Sequence, residues 1–129
     1  FHYLFNCEHA GKAPPHPAAL VATCERIYAR RVYPLARFVS FAEIDWVYCL
    51  HRAARHCNRV DRVRPMLRDF AAEYLAFLDA LDPDTDPGLD DLHALFGATS
   101  ALAELQNAIP GEIQTTRPLR LVLDRRPFL

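Results

Sequence analysis

Val60, Val63, Leu67, Phe70, Tyr74, Phe77 and Leu81 recur at steps of three and four, and this stripe constrains the fold more than any other feature. The spacing lays one apolar ridge along a helix of about six turns. A helix with a single apolar face is stable only when other elements cover that face. The rest of the chain supplies them as further helices. Leu20, Cys24, Ile27 and Tyr28 follow the same period from Ala18, after Pro17, whose fixed φ suits a first helical turn. Pro34 then stops or kinks that helix. Ser40 with Glu43 three residues on has the capping-box pattern, in which Glu43 bonds back to the Ser40 amide, and opens a second helix that runs to about His56.

After the stripe comes DPDTDPGLDD, residues 82 to 91, a loop of turn-forming residues that ends with Asp90 or Asp91 as the cap of a fourth helix. That helix continues through LHALFGATSALAELQNAI and stops at Pro110 and Gly111. Between His93 and Glu104 it has no charge, so it is expected to be buried on most of its circumference. From Thr116 to Leu129 the pattern changes, with Leu119, Leu121 and Leu123 alternating with Arg120, Val122 and Asp124. A short extended segment laid on the helices fits this alternation. The expected fold class is therefore all-α: two antiparallel helical hairpins with a short extended C-terminal tail.

Length and charge exclude several kinds of function. The 129 residues fit one domain, and at 51% apolar they suffice for a core. A net charge of −1 gives no drive toward nucleic acid or anionic lipid, and the arginines are scattered among the acids. No apolar run is long enough to span a bilayer, and the N-terminus lacks the order of a signal peptide, so the expected location is cytoplasmic. Cys7, Cys24, Cys49 and Cys57 form no C-x-x-C pair, so buried free thiols are expected.

Candidate chemistry concentrates in SFAEIDWVYCLHRAARH, residues 40 to 56. On a helical wheel Arg52, His56 and Cys49 fall within about 40° of Asp45, whereas Glu43 lies about 160° away. The two carboxylates cannot share one site from a regular helix. Asp45, Arg52 and His56 are either a solvated face or the wall of a cavity that binds a polar ligand and moves a proton. His51 falls toward the apolar side, where a hydrogen-bonded core histidine is expected. Asp91 and His93 stand at the start of the fourth helix, either capping it or facing that cavity. The expected site is thus Asp45, Asp91 and His93 as catalytic groups, with Arg52 and His56 binding substrate.

No metal or cofactor is expected. Asp82, Asp84 and Asp86 have the spacing of a calcium loop, but Pro87 takes the place of its glycine and His93 that of its closing glutamate. The cysteines and histidines lack the paired spacings of a zinc site.

EIDWVYCLHRA, DDLHALFGATSALAELQNAIPG and the ending PLRLVLDRRPFL resemble the last helical hairpins of α/α-toroid proteins of the six-hairpin glycosidase-like group. The resemblance covers most of residues 40 to 129. It implies that the chain, residues 1–129, is either a single helical domain or the C-terminal part of a larger α/α-toroid domain. It also implies a saccharide ligand, glycoside binding or hydrolysis, and a partner in the missing N-terminal part of the domain or in a second helical chain. Members wind about twelve helices into a ring, whereas this chain has room for four or five. No catalytic motif of the group matches residue by residue, so no role carries over. The competing expectation is a non-catalytic helical protein-interaction module that docks through its apolar fourth helix.

Overall fold

The structure is a computed structural model that describes residues 1–31 and 38–125. The break expected at Pro34 and the end of the tail, 126–129, lie outside the described residues. The chain is all-helical: α1 His2–His9, α2 Pro17–Ala29, α3 Ala42–His56, α4 Val60–Asp79 and α5 Leu92–Ala108, followed by a 3-10 turn at Val122–Asp124. Among the described residues there is no strand.

α3 is the central element, packed on α2, α4 and α5. From Glu43 to Ala54 every residue is buried except the half-buried Asp45. The apolar side meets α2 and α4 through an aromatic column: Trp46 lies 5.2 Å from the Tyr28 ring and 5.0 Å from Phe70, and its indole N–H donates to the Cys24 carbonyl at 3.1 Å. The α4 stripe behaves as its spacing predicts, with Val63, Leu67, Phe70 and Tyr74 buried. Cys24 and Cys49 are buried free thiols and Cys7 and Cys57 are half-buried; burial pushes Cys24 up to about 12.

Four local expectations are corrected or refined. α1 precedes the first helix that the periodicity marks. It has only eight residues, too few to be stable alone, and docks by burying Leu4 and setting Phe1 against Tyr48 at 5.1 Å. At the start of α3 the capping position is Phe41, and the Ser40 hydroxyl accepts from the Ala42 amide at 3.1 Å while donating to the Glu43 carboxylate at 2.7 Å. The Ser40–Glu43 pair thus closes through its side chains. The tail expected to be extended turns instead, through Val122–Asp124. α5 is buried along most of its length, but Leu92 and Phe96 stand 83% and 49% exposed, so the uncharged run keeps one uncovered edge.

The acidic loop acts as a clamp. Asp86 accepts from the Val39 and Gly88 amides, and Asp82 accepts from the Asp84 amide. Two glycines let the segment before α3 approach closely: a Cβ on Gly88 would sit 2.1 Å from the Val39 carbonyl oxygen, and one on Gly97 2.7 Å from the Phe41 Cα. This close approach seats Phe41 over the first turns of α5 and shapes the cavity described next.

Candidate functional site

The polar stripe of α3 divides into two regions. Asp45 and Arg52 share a side of the helix but stand about 10 Å apart along its axis, because each residue adds about 1.5 Å.

At the C-terminal half, Arg52 is a buried structural cation and not a group free to bind substrate. Its Nε and Nη2 donate to the two oxygens of Glu104 at 2.6 and 2.8 Å, and Nη2 also reaches Asp124 at 2.7 Å. Glu8 stands 3.6 Å from Nη1, and the guanidinium lies over the Tyr48 ring at 5.1 Å. A buried guanidinium without carboxylates would be severely destabilising, so partners are obligatory here. Burial works against charge on Arg52, yet the hydrogen bonds it donates to Glu104 and Asp124, with their negative charge, hold it well above its usual range. Burial would likewise raise Glu104, but hydrogen bonds from Arg52 and His51 outweigh it and hold the carboxyl below its ordinary value. Ionised Glu104 is only an acceptor, so His51 Nδ1 carries the proton in their 2.6 Å contact. His51 is thus the hydrogen-bonded core histidine that the wheel indicates. His56 is exposed and paired with Glu8 at the surface end of the same network.

At the N-terminal half, Asp45 faces a cavity of about 660 Å³. The rings of Phe1, Phe5, Phe41 and Phe96 supply most of its apolar lining, and Asp45, His2, His93 and Arg125 its polar and charged groups. The His93 imidazole is stacked on Phe41 at 4.8 Å and 13°. The Asp45 carboxylate accepts no hydrogen bond among the described residues. Burial raises its pKa, while the Phe1 amino group and then the imidazoles of His2 and His93 pull the other way. A half-buried carboxylate among rings is stabilised by a cation or a strong hydrogen-bond donor.

The structure brings Asp45 and His93 together and leaves the other expected site residues elsewhere. Asp91 caps α5, accepting from the His93 amide at 2.8 Å, and lines a separate depression beside Val39 and Gly88. Glu104, the centre of the buried network, was absent from the expected set. Its signal was present, as the lone acid that ends an uncharged helical run. The ring lining carries no signal of its own, because Phe1, Phe5, Phe41 and Phe96 follow no common period across three segments. Among the described residues no three metal-ligating side chains gather, and no helix is long and apolar enough to cross a membrane. No family model matches this chain, and no curated protein or solved structure matches it either.

Proposed function

We propose that the chain is a non-catalytic helical binding module whose aromatic cavity takes an apolar group carrying a cation. The observation that carries this reading is Asp45, a carboxylate without a hydrogen-bond partner among the described residues, in the wall of a cavity lined by four phenylalanines. The rings provide area for an aromatic or aliphatic group, and Asp45 provides the charge that orients it. Arg52 cannot serve as an anion receptor, because carboxylates already surround it.

Protonated phenethylamine and neutral 2-phenylethanol are a matched pair of probes for a titration followed by NMR. The amine should shift His93 and Phe96 resonances and bind about tenfold more tightly, since a charge-assisted hydrogen bond contributes on the order of 1.5 kcal/mol. Asp45→Asn should abolish the preference. Equal affinities, or shifts remote from the cavity, would sink the reading.

Saccharide binding is the second reading, and the observation that favours it is that Asp45 and His93 share a cavity with stacked rings. In that case the helices are a segment of an α/α toroid, and the uncovered edge at Leu92 and Phe96 meets the remaining helices of the domain or a second helical chain. Maltose moving the same resonances, with no preference for the amine, would favour it over the first.

A further inference from the structure

One wall of the cavity comes from the far end of the chain: Val122, Leu123 and Arg125 line it opposite α3 and α5. No residue of Val122–Asp124 is fully buried, so apolar packing alone holds this segment weakly. Among the described residues two polar side-chain contacts hold it instead, Asp124 to Arg52 Nη2 at 2.7 Å and the Leu123 carbonyl to His9 Nε2 at 3.1 Å. Upstream, the Leu119 amide donates to the Gln106 side chain at 3.2 Å and fixes where the segment leaves α5.

We propose that residues Leu121–Arg125 are a latched wall that controls entry to the cavity, with Arg52–Asp124 as the latch. This rests on the cavity being the binding site. Arg52 suits the role because it has two kinds of partner. Glu104 engages it in a fully buried, two-point pair that belongs to the fold, whereas Asp124 is half-exposed at 47% and sits on a detachable turn. Loss of Asp124 leaves Arg52 compensated by Glu104, with Glu8 beside it, so the wall can move without stranding a buried charge. Gln106 at Leu119 remains as the hinge side. The charged groups that face the latch are Arg52, Glu104 and Glu8, and the second tie is His9 from α1.

The test compares the full chain with Asp124→Asn, Asp124→Glu and His9→Ala, using amide hydrogen exchange and the binding rates of the neutral dye Nile red. Asp124→Asn should speed exchange at Asp124 and Arg125 about tenfold and raise both dye rates several-fold, while α3, α4 and α5 amides stay protected. Asp124→Glu should restore most of the protection, and His9→Ala should give a smaller effect in the same direction. Unchanged exchange in Asp124→Asn, or loosening that spreads through α3 and α5, would overturn the proposal. If Nile red fails to shift His93 and Phe96 resonances in the unmodified chain, the cavity reading has failed and the latch falls with it. If the dye binds there and its rates ignore Asp124→Asn, the latch alone has failed.

Discussion

At the C-terminal half of α3, Arg52 is 4% exposed and meets three carboxylates, and Glu104 is 1% exposed and meets both Arg52 and His51. Two turns earlier on the same helix, Asp45 is half-buried and accepts no hydrogen bond among the described residues. Both regions place charge among apolar residues, but only the first completes it. A completed buried network fixes the relation of α1, α3, α5 and the tail, and leaves no valence for a ligand. An incomplete one at a cavity wall leaves a valence that a ligand can fill. One helix therefore holds the fold together at one end and leaves a carboxylate facing a cavity at the other.

The contrast breaks most decisively at Glu104. Glu104→Ala should cost about 3 kcal/mol in denaturant unfolding, because it removes the two-point partner of a buried guanidinium and leaves only Asp124 and the more distant Glu8. A loss below about 1 kcal/mol would place this network with ordinary surface pairs and erase the distinction. Gly97→Ala should cost about 1–3 kcal/mol, since the new Cβ meets the Phe41 backbone and cannot be relieved by a side-chain rotation. The same change should displace the Phe41 and His93 rings and weaken amine binding; full stability with full binding would contradict the close approach.

The pH dependence of unfolding sharpens the comparison, because the two carboxyls act with opposite signs. The folded Glu104 carboxyl lies below its ordinary 4.5, so its contribution is present above that value and is lost as pH falls through the lower folded one. Asp45 is raised above its ordinary 3.8, so its contribution is fully present below 3.8 and lost as pH rises through the raised folded value. Glu104→Gln should therefore flatten the acid loss of stability, and Asp45→Asn should steepen it. A shared sign for the two variants, measured from about pH 3 to 7, would refute the assignment. The smallest effect is expected at neutral pH, where Asp45→Asn should change stability by no more than about 0.5 kcal/mol, with any change a gain. A large loss there would mean that Asp45 is structural after all.

Much of this was legible locally. Pro17 starts α2, Asp91 caps α5, and the spacing of Val63, Leu67, Phe70 and Tyr74 names the buried face of α4. Each depends on residues within a turn or two of one another, and helix geometry maps such spacings directly onto space. Asp45 and His93 were also legible as polar groups near helix starts, though nothing local set them in one cavity.

What the sequence by itself determined is the all-helical character, most helix boundaries and the apolar faces. Tertiary structure alone decided that Arg52 is sealed while Asp45 is open, that eight residues at the start form a docked helix, and that the tail walls the cavity. Arg52 and Glu104 are 52 positions apart and His9 and Leu123 are 114 apart. The physical reason is that a charge on a helix face becomes a structural pair or an available group according to what stands opposite it. Periodicity fixes which way a side chain leaves its own helix, and only the packing of the other helices fixes what it meets.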